Sequence, residues 1–315
     1  MPEADDQSLD VIVRFHDARR LRDLDRCIFS LVGQTYRPLH IYLAVQRFTP
    51  AMIEETRAGL APLLLIENPP RLSILNWAHP EPADARSVLL NLGLGGGEGR
   101  YVAFLDYDDT LNPEAYELLV GQLIRGAAAI AFGGVGIKIS DVYSEFSYIK
   151  ERRDPYYGSD LLDLLRRNFC PIHSFVIDRR RIPPAYLYFD PAITRAEDYD
   201  FLLRICAQFP SDFTLAKTII GDYFFKTDGS NTVNTEWDYT ESGHAAWQVS
   251  EHFLEQRRRI TPVSFDVQRM LGLEPLPDLT IRRLLDGGEA GPIQRAWRDV
   301  KGSDLGARRR LGSRT

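Results

Sequence analysis

The sequence predicts an α/β fold, built on a mostly parallel sheet with helices on both faces. Strand-like and helix-like segments alternate from the start of the chain, and three or four such units follow one another. An acid cluster stands directly after an apolar strand, and in this architecture sites lie at the carboxyl ends of strands. The length of 315 residues with 44% hydrophobic content is ample for one sizeable core.

Val11-Ile12-Val13 heads the first buried strand. Asp17 is placed to cap a helix with the apolar stripe Leu21, Leu24, Ile28 and Leu31, and Gly33 ends that helix. Residues 41–45 form the second strand, Thr49 to about Leu63 a helix with Pro50 in its first turn, and Leu72 to Leu75 a shorter strand. Ala83 to Leu92 reads as helix, Gly93 to Gly99 as a turn, Tyr101 to Leu105 as the central strand, and Pro113 to about Ile124 as helix. Past Ala127 the alternation loosens. Strands are expected at Ile130 to Ile139, Ile172 to Ile177, and Ala216 to Phe225 with a break at Gly221-Asp222. Helices are expected at Asp160 to Arg167, Glu197 to about Gln208, and Glu241 to about Arg257, before a polar, basic end.

The net charge of -6 is uneven, because from Gly291 onward seven Lys or Arg face two Asp, leaving about -11 on the rest. That balance argues against bulk nucleic-acid binding. Cys27, Cys170 and Cys206 are far apart in apolar contexts and read as reduced core residues. The acidic, polar start does not read as a signal peptide, and no apolar run approaches a membrane span, so a cytoplasmic address is the expectation.

Asp106-Tyr107-Asp108-Asp109 carries most of the chemistry. Three acids within four residues at a strand end are costly unless a cation shares the site. The alternative is a solvated turn, for which Thr110, Asn112 and Pro113 are suitable neighbours. Asp198 and Asp200 fall in the first turn of their helix, where the dipole favours acids whatever their function.

From Asp10 to about Asn231 the chain resembles the family-2, GT-A-type glycosyltransferases. Four landmarks in register carry the resemblance: residues 27–36, ending in Gln34-Thr35-Tyr36; Asn91-Leu92-Gly93 running to Tyr101; Phe104 to Asp109 with Leu111 and Pro113; and Phe189-Asp190 followed by Glu197-Asp198-Tyr199-Asp200 and Arg204. The resemblance implies a GT-A-type, Rossmann-like fold. Residues 1–126 would be its nucleotide-sugar-binding half, 127–235 its acceptor-binding and catalytic-base half, and 236–315 a helical C-terminal extension with a flexible basic tail. It also implies a nucleotide-diphosphate sugar donor, a glycan or lipid-linked acceptor, and a role in surface glycan synthesis. Asp106 and Asp108 would hold Mn²⁺ or Mg²⁺, with Asp106 leaning toward the ribose and Asp108 ligating directly. Such an ion clamps the departing diphosphate. Asp109 is expected to cap, support or ligate. Asp198 matches the catalytic base, with Glu197 and Asp200 its most easily confused neighbours, and one base opposite the leaving group implies inversion.

The departures from the family pattern place further candidates. Arg14-Phe15-His16-Asp17 replaces the usual residues after the first strand, and Gln46-Arg47-Phe48 replaces an acidic pair, so Arg47 either faces a phosphate or is solvated. Asn91 is expected in the donor site, and Leu90 stands where an Arg usually precedes it, with Arg86 one turn back as that Arg's substitute. Asp228 is the best match to a late metal-ligating His, though a surface turn is its other reading. His173 is read first as a hydrogen-bonded structural histidine and second as an acceptor-cleft residue. Tyr156, Tyr157 and Trp237 are candidates to stack on sugar, or core aromatics. Arg308-Arg309-Arg310 would give peripheral contact with the inner face of a membrane, or form a solvated end. Gly93 to Gly99 lacks the Lys-Ser/Thr of a P-loop. Two rival readings are a haloacid-dehalogenase-like phosphatase with Asp106 as nucleophile, and a non-catalytic sugar- or nucleotide-binding module.

Overall fold

The computed structural model describes residues 7–143, 146–153, 158–229 and 241–287. Strands β1 (Leu9–Phe15), β2 (Leu39–Gln46), β3 (Arg71–Trp77) and β4 (Tyr101–Asp106) pair in parallel in the order β3-β2-β1-β4. Between them run α1 (Leu21–Val32), α2 (Pro50–Leu60) and α3 (Arg86–Gly96). Asp17 caps a short 3-10 turn ahead of α1, and Thr49 caps α2 by accepting from the Met52 amide. All four strands therefore deliver their carboxyl ends to one rim.

The remaining strands are β5 (Thr110–Leu111), β6 (Ile130–Val142), β7 (Ser147–Arg153), β8 (Phe175–Asp178) and β9 (Ser211–Lys226). They extend the sheet past β4 as β8-β6-β9-β5, with β7 paired to β6. Only β6 and β9 are parallel here; β8, β5 and β7 pair antiparallel, so the loosened sequence pattern past Ala127 marks a real change of sheet type. Helices α4 (Ala115–Arg125), α5 (Leu161–Arg166) and α6 (Glu197–Cys206) complete the main body.

Alternate residues of β1 feed two cores. Val11, Val13 and Phe15 pack with Leu24, Ile28 and Leu31 of α1 and with α4, whereas Ile12 packs toward Leu90 of α3, α5 and α6. Each such fully buried aliphatic side chain contributes about 1.5–3 kcal/mol of transfer free energy. The three cysteines are free and buried.

Two glycine segments differ from the sequence expectation. Gly93 to Gly96 continue α3 instead of turning, because α3 lies so close to the sheet that a Cβ on Gly93 would meet Ile12 Cγ2 at 2.4 Å. Gly221 does not break its strand: β9 runs through it, and the missing Cβ lets β5 approach, since one would lie 2.5 Å from the Thr110 carbonyl oxygen.

Three helices follow, α7 (Glu241–Ile260), α8 (Phe265–Met270) and α9 (Ile281–Gly287). A buried ion network fastens α7 to α6: Asp200 receives Arg204 Nε at 3.0 Å and Arg257 Nε at 2.5 Å. Arg258 Nη2 adds a hydrogen bond to the Tyr199 hydroxyl at 2.9 Å. No helix among the described residues is long and apolar enough to cross a membrane. Tyr156, Tyr157, Trp237 and the arginines 308–310 lie outside the described residues.

Candidate active site

The site begins where β1 and β4 end side by side, with Arg14 in register with Asp106. Arg14 grips Asp106 in a two-point ion pair, Nη2 to Oδ2 at 2.8 Å and Nε to Oδ1, and its Nη1 reaches Glu197 Oε1 at 2.5 Å. The guanidinium thus joins the tip of β4 to the first residue of α6. Arg14 is only 8% exposed, so the pairing must offset a substantial desolvation cost. Burial would raise the Asp106 carboxyl, but the charge and hydrogen bonds of Arg14 outweigh it and hold Asp106 below its ordinary value. It is a committed anion.

Asp198 is placed by the start of α6. The preceding Ala196 adopts left-handed φ 57, ψ 33, a conformation that a non-glycine residue holds only under constraint from its surroundings. Asp198 accepts the Tyr199 amide at 2.7 Å. Burial, then the neighbouring Glu197 charge, raises its carboxyl to about 7, in the range suited to a general base. Asp200, by contrast, is fully buried on Arg204 and Arg257 and faces away into structure.

A cavity of about 390 Å³ opens on both carboxylates. Its lining includes Arg14, Arg86, Asp106, Asp109, Glu197 and Asp198, with Phe169, Ile172 and His173 as part of one wall. α7 adds Trp247, Ser250, Glu251 and Leu254 to the lining, and Arg195 lies over the Trp247 ring at 4.9 Å. A mostly apolar cleft of this size with a few placed polar groups suits a small ligand.

Asp109 and His173 meet in the cavity lining. Asp109 is 2% exposed and accepts the Phe224 amide at 2.9 Å, pinning β9 beside the tip of β4. His173 is 1% exposed, with Nδ1 3.3 Å from Asp109 Oδ2, yet neither ring nitrogen makes a hydrogen bond among the described residues. Burial lowers the imidazole to about 4, while burial and the charges of Asp108 and Asp106 push Asp109 well above the carboxylate range. At neutral pH the imidazole is uncharged. His173 is therefore a cleft residue and not the hydrogen-bonded structural histidine that the sequence suggests first.

Asp108 lies outside this lining, in an adjoining charged cluster. Its Oδ2 is 2.8 Å from Lys226 Nζ, which also lies 3.0 Å from Asp23 Oδ2, and Arg26 Nη2 donates to the Asp108 carbonyl at 2.8 Å. Asp228 pairs with Arg20 at 3.3 Å, and Arg20 reaches Asp23 at the same distance. The structure thus brings Asp106, Arg86 and Asp198 to one cavity and Asp108 and Asp228 to a neighbouring network. It brings neither Arg47 nor Asn91 to the cavity. The Arg47 guanidinium clasps loop carbonyls, His79 at 3.0 Å and Pro82 at 2.7 Å, and the Asn91 amide bonds both the N–H and the carbonyl of Phe189 at 2.7 Å.

Sequence reasoning missed Arg14, Lys226 and Trp247. The visible signal for the first two was a cationic residue at the carboxyl end of an apolar strand; Trp247 carried none.

Comparison with known proteins shows the family and the fold. Residues 10–182 match the profile described as "Glycosyl transferase family 2". An uncharacterized glycosyltransferase of Escherichia coli K12, YibD, is 31% identical over 123 residues, which is 39% of this chain and 32% of that protein. The succinoglycan biosynthesis protein ExoO of Rhizobium meliloti is 27% identical over 166 residues, 50% of this chain and 46% of that protein. The matched regions thus span less than half the length of either relative. Among solved structures, S. aureus TarS 1-349 with UDP-GlcNAc superposes at a TM-score of 0.52 and 14% identity, covering 82% of this chain and 68% of that one, a likeness of fold. With more than half its length matched by the family profile, this chain belongs to glycosyl transferase family 2.

Proposed function

We propose that the protein transfers a sugar, with inversion, from a nucleotide-diphosphate donor to an acceptor hydroxyl. One observation carries this reading: Asp106, fixed as an anion by Arg14, and Asp198, raised to about 7, open on the same cavity. The acceptor oxygen attacks the anomeric carbon while Asp198 takes its proton, and the bond to the diphosphate breaks on the opposite face. Arg86, which lines the cavity and is anchored by Asp84 at 2.7 Å, contributes positive charge on the donor side. The TarS structure with UDP-GlcNAc supports a nucleotide-sugar donor, and the succinoglycan role named for ExoO supports a surface glycan as product.

A divalent ion is part of the proposal. No group of three or more His, Cys, Asp or Glu forms a metal cage among the described residues. Mg²⁺ and Mn²⁺ bound with a diphosphate need no such cage, since one or two carboxylates and substrate oxygens suffice. The hard oxygens of Asp108, already matched to an ammonium, fit that role, and Asp106 and Asp228 are the further carboxylates proposed for it. When bound, the ion would offset the negative charge of the departing diphosphate.

The phosphatase reading is disfavoured because Arg14 engages both oxygens of Asp106, leaving a poor nucleophile. A thermal-shift screen of nucleoside diphosphates with and without Mn²⁺ tests the donor class, since a ligand of the native state raises its melting temperature. Asp108→Asn should abolish the Mn²⁺-dependent part of that shift. An unchanged shift in the variant would remove Asp108 from the metal site.

A further inference from the structure

Lys226 is the last residue of β9, and its side chain is 4% exposed. A lysine held that deeply is retained by its partners, here the carboxylates of Asp108 and Asp23, both about one-fifth exposed. The cluster is balanced: Arg20, Arg26 and Lys226 face Asp23, Asp108 and Asp228. Without Lys226 the balance is lost at Asp108, the carboxylate proposed above to hold the ion. Lys226 also has a second carboxylate to keep if the first is taken.

We propose that Lys226 is the donor site's built-in cation: its ammonium neutralises Asp108 in the metal-free protein, gives affinity for a nucleoside diphosphate that survives removal of divalent ions, and competes with such an ion for Asp108. The inference rests on the transferase reading above and specifies how its donor site manages charge. A like charge at hydrogen-bond distance from a metal ligand weakens metal binding, while the same charge favours an approaching anion. Lys226 therefore acts in opposite directions on the two ligands. A lysine that only holds β9 in place would move neither affinity in this paired way.

The test uses the full chain, calorimetry with UDP, GDP, CDP and ADP in EDTA and in Mn²⁺, and electron paramagnetic resonance with Mn²⁺ alone. The wild type is expected to bind at least one of these diphosphates in EDTA. Lys226→Met should weaken that binding and tighten Mn²⁺ binding in the absence of nucleotide, each on the order of tenfold. Lys226→Arg, which keeps the charge, should retain the EDTA-resistant binding. Wild-type binding that appears only with Mn²⁺ overturns the inference while leaving the transferase reading intact, and it does so whether or not Lys226→Met folds. An unchanged Mn²⁺ affinity in folded Lys226→Met overturns it as well. Binding of none of the four, with or without Mn²⁺, removes the transferase reading and this inference together.

Discussion

Asp106 and Asp198 face one cavity and are linked through Arg14 and Glu197, yet their surroundings treat them in opposite ways. Asp106 receives two guanidinium hydrogen bonds and is driven below the usual carboxylate range. Asp198 receives, among the described residues, a backbone amide alone, sits beside the Glu197 charge, and is raised to about 7. Separated proton affinities are what a site needs if one carboxylate is to stay charged and the other is to exchange a proton. Arg14 sets the difference: it spends its donors on Asp106 and Glu197 and gives none to Asp198.

The comparison breaks most completely at Asp198. Asp198→Asn should lower turnover on the order of 10²–10⁴-fold while leaving calorimetric binding of nucleoside diphosphate and Mn²⁺ unchanged. Undiminished transfer by this variant would take Asp198 out of the mechanism. Arg14→Met removes the shared clamp and strands Asp106 and Glu197, so urea unfolding should show a loss of about 3–5 kcal/mol. A cost below about 1 kcal/mol would mean that the buried pair does not set the contrast. Asn91→Ala deletes two hydrogen bonds to Phe189 and should cost about 1–3 kcal/mol of stability without changing diphosphate affinity. The opposite result, weaker binding at unchanged stability, would return Asn91 to the donor site.

The smallest effect sharpens the comparison. A base raised to about 7 is protonated and idle below that pH, so kcat should rise as pH climbs through about 7. Glu197 raises Asp198 second only to burial, and its removal also leaves the Arg14 charge less compensated. Both changes act in one direction. Glu197→Gln should move the ascending limb to lower pH, by on the order of one unit, in a pH–kcat profile. A limb that stays in place would assign it to another group.

What the sequence disclosed follows from how locally each feature is encoded. Asp106 ends an apolar run and Asp198 starts a helix, so strand and helix boundaries alone placed both at element ends. Arg14 and Lys226 acquire their roles from register: Arg14 meets Asp106 only because β1 and β4 align, and Lys226 meets Asp108 only because β9 pairs with β5. Strand β7 was invisible because all seven of its residues are exposed and no burial rhythm marks it. The glycines of α3 resembled a turn because the close approach of Gly93 to Ile12 and of Gly96 to Leu75 is set across the core. Asn91 and Arg47 carried a donor-site expectation that their backbone contacts do not express.

The latch between Asp200 and Arg257 makes the base-bearing helix and the trailing α7 one mechanical unit. A shortened chain ending after β9 would strip Asp200 of one of its two guanidinium partners, and in the same stroke would remove the Trp247 side of the cleft. The setting of Asp198 and the shape of the cleft would then change together. Swapping the trailing helices between relatives should accordingly require carrying the matching face of α6 with them.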